Sequence, residues 1–339
     1  LEAFDSILVV SFGGPEKPDD VLPFLRNVTR GKDIPDDRLA AVGEHYLRFG
    51  GRSPINDQAR ELIAALALEL EEHGPQLPIY WGNRNWNPML TDTLRTMKAD
   101  GRRNAVAFVT SAYSSYSSCR QYREDMAQAQ EIVGVDAPQV TKVRQFFNHP
   151  GFIEPMARNT QRALDCFPED VRGRVRVVFT AHSIPISMAN TSRYESQLQE
   201  AAALVIERLT PSLDWDLVYQ SRSGPPQTPW LAPDICDHLD ALNATGSHDV
   251  VIVPIGFISD HMEVLYDLDT EALEKGAALG MHIERASTVG TDPQFVSAVR
   301  DLINEHVEMN AMRMALGDLG PVTCLGEACC PAPRASVAT

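Results

Sequence analysis

The sequence predicts an α/β protein made of two similar consecutive halves, each with a parallel sheet, followed by a short irregular tail. Three observations predict it. Short β-branched runs alternate with amphipathic stretches along most of the chain, the order of parallel strands joined by crossover helices. The second half repeats the scheme of the first. "VRVVFTAHSIP" follows "ILVVSFGGP" (an apolar strand, a polar or glycine loop, then proline), and "HDVVIVPIGFISD" follows "RNAVAFVTSAYSS". The last stretch, Gly317 to Thr339, is rich in Pro, Ala and Cys without periodicity, and stays unordered unless something ties it down. The halves are placed at residues 1–145 and 146–312, and the tail at 313–339.

In order, "SILVVSF" is a strand that breaks at Gly13, Gly14 and Pro15. Ile55 to Gly74 is a helix stopped by its glycine. "LPIYWGN" and "AVAFVTSAY" are the next strands, and "SCRQYREDMAQAQEIVG" is a polar-faced helix. "VRVVFTAH" and "HDVVIVPIG" are strands of the second half. From His261 onward the chain is helical, which places Glu263, Asp267 and Glu271 at i, i+4 and i+8 on one face. Like charges stacked this way repel, so helix stability does not explain them. The stripe either faces water or holds cations or protons.

Of the 339 residues, 44% are hydrophobic and 22% charged, ordinary globular values that leave room for two domains. The formal net charge of -16 and the lack of a Lys/Arg cluster exclude a nucleic-acid surface. No apolar run approaches the roughly 20 residues of a membrane span. "LEAFDSILVVSFGG" has neither a basic region nor a cleavage pattern, so no signal peptide is expected there. A soluble, cytoplasmic monomer is expected. No P-loop, G-x-G-x-x-G or G-x-S-x-G occurs, which argues against nucleotide cofactors and serine-hydrolase chemistry. Of six cysteines, Cys119, Cys166 and Cys236 are scattered, whereas Cys324, Cys329 and Cys330 crowd into "CLGEACCPAPR". In a cytosolic protein such a cluster is more often a metal-ligand set than disulfides.

In parallel α/β folds ligands bind outside the carboxyl ends of the strands. That rule selects the loops Ser11 to Pro15, Ser111 to Ser118, Thr180 to Pro185, Gln220 to Pro226 and Ile258 to Glu263. His182 ends one strand, and His261 with Glu263 follows another. A lone histidine is commonly structural, but a carboxylate beside an imidazole suits proton removal and the handling of a divalent cation. Arg30, Tyr46, Arg48, Arg52 and Ser53 are donors suited to carboxylates. Phe12, Tyr113, Tyr116, Tyr122 and Trp230 supply apolar walls. Taken singly these are core aromatics and surface arginines. Taken together they describe a pocket for a flat, apolar ligand bearing carboxylates.

The segments "LVVSFGGPEKPDDVLPFLRNVTRG", "YLRFGGRSPIN", "YWGNRNWNP", "FTAHSIP", "YQSRSGPPQTPWLAPD" and "GFISDHMEVLYDLDTE" resemble the ferrochelatases, over about residues 5 to 305. The resemblance implies the chelatase fold, two Rossmann-like halves around a porphyrin cleft, and insertion of Fe²⁺, the metal substrate, into a porphyrin. It implies His182 and Glu263 as the pair facing the macrocycle, with His182 accepting pyrrole protons. Asp267 and Glu271 would then drain protons or deliver the metal. It also implies a [2Fe–2S] cluster on Cys324, Cys329 and Cys330, with Cys166 as the best fourth ligand and Cys119 and Cys236 as packing residues. Phe12 would face the other side of the porphyrin, where some relatives have Tyr or Met; Phe12 cannot ligate iron. "VTRGKDIP" and "SSCRQYRED" are similar to bacterial enzymes that metallate coproporphyrin III, and the polar lip from Asn27 to Arg38 suits that four-carboxylate substrate. Arg30, Tyr46, Ser53 and Tyr122 are the implied propionate contacts, and haem-pathway enzymes upstream and downstream the implied partners. Three other readings remain at this point besides insertion into protoporphyrin IX: a cobalt chelatase, a porphyrin or haem carrier without catalysis, and an iron–sulfur sensor on an inactive chelatase domain.

Overall fold

The computed structural model describes residues 3–31, 34–224, 227–323 and 329–332. Eight parallel strands form two four-stranded sheets. The first contains β1 (Ser6–Ser11), β2 (Ile79–Asn83), β3 (Asn104–Val109) and β4 (Gln139–Lys142), in the order β2-β1-β3-β4. The second contains β5 (Arg176–His182), β6 (Trp215–Gln220), β7 (Asp249–Val253) and β8 (His282–Arg285), in the order β6-β5-β7-β8. The two orders are the same, so the repeated scheme in the sequence is a repeated topology. Strand β1 is buried along its whole length, as expected of a strand covered on both faces.

Helices of the first half are α1 (Val21–Val28), α2 (Asp36–Leu47), α3 (Ile55–His73), α4 (Leu90–Ala99) and α5 (Gln121–Val133). The second half holds α6 (Pro150–Asp165), α7 (Glu169–Arg172), α8 (Ile186–Ala189), α9 (Tyr194–Ile206), α10 (Ile235–Ala244), α11 (Met262–Tyr266), α12 (Leu273–Ala278) and α13 (Pro293–Val307). Helix α13 packs on both α6 and α3, so the end of the second half leans back on the first. The main core runs through both halves and includes Phe108, Phe146, Phe152, Phe179, Val253 and Phe295.

Two local departures from the sequence reading matter. The stretch from His261 is not one α-helix: α11 gives way to a π-helix, Asp267–Ala272, before α12. A second π-turn, Tyr116–Arg120, precedes α5. Such wide turns concentrate at functional sites because they re-aim side chains that an α-helix would carry round the axis. The described part of the tail is also tied to the folded body by hydrogen bonds. Arg144 forms a buried pair with Glu305, 2% exposed on both sides, and donates to the Met314 carbonyl at 2.6 Å. Asn148 donates to the carbonyls of Leu316 and Gly320, at 2.9 and 3.0 Å.

Candidate active site

Both topological switch points, β1/β3 and β5/β7, end in the loops that carry the unusual chemistry. His182 is the last residue of β5, opposite Gln220 of β6. Its Nδ1 lies 2.5 Å from the Ser183 carbonyl, which fixes the N–H on that side and leaves Nε2 facing Glu263 Oε1 at 3.3 Å. His261 caps α11, its Nδ1 accepting from the Glu263 backbone N–H at 3.1 Å. That cap starts the helix at the residue that must face His182.

The electrostatics follow from this geometry. Burial pulls the His182 imidazolium down, but the Glu263 carboxylate, its hydrogen bond and the Ser183 carbonyl outweigh it, and His182 titrates well above the usual range. Burial pushes Glu263 up, and the same imidazole more than reverses that, holding it well below the usual carboxylate range. The pair is therefore imidazolium and carboxylate at neutral pH. His261 is lowered, first by burial.

Asp267 stands one turn beyond Glu263. Burial raises it, the Ser221 hydrogen bond opposes, and the neighbouring Glu263 and Glu271 raise it further, to about 7. Ser221 reaches it from the end of β6 with φ of 62°, a left-handed backbone that a serine adopts only when its surroundings impose it. Gln220 braces the same turn, donating to the Glu263 carbonyl at 2.7 Å. Glu271 is exposed, so the stripe leads from the cleft to solvent. Among the described residues no three His, Cys, Asp or Glu side chains converge into a metal cage.

The expected porphyrin contacts divide. Tyr46 is held well above the usual phenol range, first by burial and then by Glu263 and Asp267, which places its hydroxyl in the field of the acids. Its ring packs edge-on to Phe24, as does that of Phe12, at 5.8 and 6.3 Å. Arg30 is exposed on the lip, turned onto Asn27 at 2.8 Å. Ser53 is buried against Gly14, where a Cβ would approach the serine Cβ to 2.8 Å. Tyr122 is buried under Arg84, whose guanidinium lies 4.4 Å from its ring centre and 5.8 Å from that of Phe12. Arg84, paired with Asp125, is the cation that sequence reasoning missed; its place at the end of "YWGN" was the available signal. Tyr113 is core rather than wall, its hydroxyl donating to the Ile255 carbonyl at 2.9 Å.

The cysteines also divide. Cys329 and Cys330 place their Sγ atoms 3.7 Å apart, and Cys330 has φ of 52°. Cys324 lies outside the described residues. Cys166 is exposed at the end of α6, beside Phe167, whose ring meets His282 of β8. The tail instead approaches Cys119. Arg120 lies 3.5 Å from the Cys329 carbonyl, and the Gln145 side-chain amide touches both Cys119 Sγ, at 2.8 Å, and the Val322 carbonyl, at 3.3 Å.

Two parallel-sheet halves of one topology, with a histidine–carboxylate pair at the strand ends of the second, define a chelatase-type protein. Two solved structures of the chelatase SirB from Bacillus subtilis share the fold. One, with Fe³⁺, has a TM-score of 0.56 at 12% identity over 91% of this chain and 100% of that one. The other, a sirohydrochlorin chelatase with cobalt, has a TM-score of 0.52 at 11% identity over 90% of this chain and 96% of that one. The ferrochelatase family profile matches residues 5–307. A coproporphyrin III ferrochelatase of Streptomyces griseus is 51% identical over 97% of this chain and 94% of its own. A ferrochelatase of Rhodopirellula baltica is 52% identical over 98% and 95%. The chain belongs to the ferrochelatase family.

Proposed function

We propose that the protein inserts Fe²⁺ into coproporphyrin III to give coprohaem in haem synthesis. The observation that carries the reading is the His182–Glu263 ion pair at the strand ends, continued by Asp267 and Glu271 towards solvent. Insertion forms four Fe–N bonds and releases two pyrrole protons. Its titration raised by Glu263, His182 already holds a proton at neutral pH, so acceptance requires that proton to move on first. Asp267, titrating near neutrality, is the group matched to relaying it, and Glu271 passes it to water. Arg30 on the polar lip and Tyr46 are the proposed propionate contacts, with Phe12, packed like Tyr46 on Phe24, as an apolar wall. A carrier would need those walls and donors but not the acids. The expected test is His182→Ala: coproporphyrin III still binds by fluorescence titration, while insertion falls by more than about 100-fold. Undiminished insertion would refute the role of the pair.

The tail cysteines are proposed to hold a [2Fe–2S] cluster. The thiols of Cys329 and Cys330 are 3.7 Å apart, close to the edge of about 3.8 Å of a tetrahedron with metal–sulfur bonds of roughly 2.3 Å. Successive side chains of an extended chain point apart, and the left-handed Cys330 brings these two together. The approach of Cys329 to Arg120, next to Cys119, supports Cys119 rather than the exposed Cys166 as the partner from the folded body. A bound cluster would supply a redox centre and cross-link the tail to the first half. Cys119→Ser should abolish the cluster's visible absorption and Cys166→Ser should keep it; the reverse would restore Cys166. The proposed setting is a cytoplasmic monomer exchanging porphyrin and haem with neighbouring haem-pathway enzymes. No helix among the described residues is long and apolar enough to cross a membrane.

A further inference from the structure

Helix α9 carries three polar side chains at i, i+3 and i+6, each tied to a different part of the molecule. Tyr194, 5% exposed, donates its hydroxyl to the His182 carbonyl at 3.0 Å. Gln197, wholly buried, accepts from the Ser114 N–H at 2.7 Å and donates to the Ser114 hydroxyl at 2.9 Å. Glu200 accepts from the N–H groups of Asp318 and Leu319 at 3.0 and 2.9 Å, and from Asn148 at 3.2 Å. Gly317, with φ of 71°, passes so close to Glu200 that a Cβ there would lie 2.6 Å from its carboxyl carbon. One rigid helix thus joins the catalytic strand end, the first-half loop that leads to Cys119 and the base of the tail. The first and last of these residues are about 9 Å apart along its axis.

Helix packing alone does not require this pattern. A buried helix face is ordinarily apolar, and polar side chains on it are stabilising only when every one is satisfied. Here each satisfied bond crosses to a separate segment, and the first ends on the backbone of His182. That carbonyl is one residue from the Ser183 carbonyl that orients the imidazole. Position matters at this point because a displacement of about 1 Å of a reacting group can cost on the order of 100-fold in rate.

We infer that α9 is a positioning strut: Tyr194 sets the placement of His182, and docking of residues 316–320 on Glu200 sets the placement of α9. Tyr194 and Glu200 are positioning residues for the insertion reaction. The inference rests on the insertion reading of His182. The test is a double-mutant cycle on the full-length protein with Tyr194→Phe and Glu200→Gln, measuring Fe²⁺ insertion, coproporphyrin III affinity and the pH profile of kcat. Each variant should lower kcat about five- to tenfold with KM and porphyrin affinity within twofold of the parent, and shift the pH profile. The double variant should be no slower than the worse single one, since both act through one strut. Should Tyr194→Phe fail to fold, Glu200→Gln at the half-exposed end carries the test by itself through the split between kcat and KM. Unchanged kcat and pH profile in a parent that does turn over, or effects of the two changes that multiply, would overturn the strut. A parent without turnover would instead remove the insertion reading beneath it.

Discussion

At the scale of single residues, the chemistry rests on environments that no residue type announces by itself. Asp267 shows it best. Its carboxyl titrates near 3.9 in an unfolded chain and about 7 in the fold. The fold therefore favours the protonated form, and folding takes up a proton between those pH values. This contribution to stability is fully present below about pH 4 and is lost as pH rises through 7. Asp267→Asn removes the loss. The variant should melt a few degrees above the parent at pH 8 and lose that advantage at pH 4, which paired calorimetry checks. In activity the sign is opposite. Insertion by the parent should fall as pH drops below 7, because the relay is then filled, and Asp267→Asn should be slow and flat across that limb. Legibility followed the same line. His182 and Glu263 were legible because a histidine at a strand end and a carboxylate after another strand are visible as sequence positions. Arg84, Ser221 and Tyr194 were not, because their roles arise from partners between 12 and 72 residues away.

At the scale of elements, the strands were readable and the helix geometry was not. Runs such as "ILVV" and "VVIV" can only be buried strands in this pattern, whereas a π-turn differs from an α-turn by one hydrogen-bond step and leaves no compositional mark. The same holds for the contact of α2 and its following residue, Arg48, with the segment that carries the stripe. His45 of α2 stacks on Tyr266 of α11 at 3.8 Å and 8°, and Arg48 lies 3.7 Å from Glu274 and 5.9 Å from the Tyr266 ring centre. These contacts join the two halves beside the acid stripe. A stacked aromatic pair is worth about 0.5–1.5 kcal/mol beyond its buried area, so losing this one should loosen α2 against α11. Tyr266→Ala should therefore raise KM for the porphyrin about three- to tenfold and speed product release, with single-turnover insertion little changed. A normal KM and release rate would show that the contact is packing only. The lip itself is polar between Asn27 and Arg38, but Leu22, Val42 and Leu47 on the flanking helices are exposed, so its surroundings are less hydrophilic than the segment alone suggested.

At the scale of the whole molecule, a repeated topology organises the architecture. Two sheets share one strand order, and the ends of both meet around Ser11, Thr110, Ile258 and Asp260. That plan was legible from the repeated order of strands and loops. The tail was not, because its ordering comes from Arg144, Asn148 and Glu200, residues more than 110 positions upstream whose partners are backbone atoms. Substrate choice also belongs to this scale, since it depends on the whole rim of the cleft. The most direct measurement is anaerobic Fe²⁺ insertion into coproporphyrin III and protoporphyrin IX side by side, followed by visible absorption. Turnover with coproporphyrin III and at least tenfold lower kcat/KM with protoporphyrin IX is the predicted result. Preference for protoporphyrin IX, or tight porphyrin binding with no insertion into either, would contradict the account.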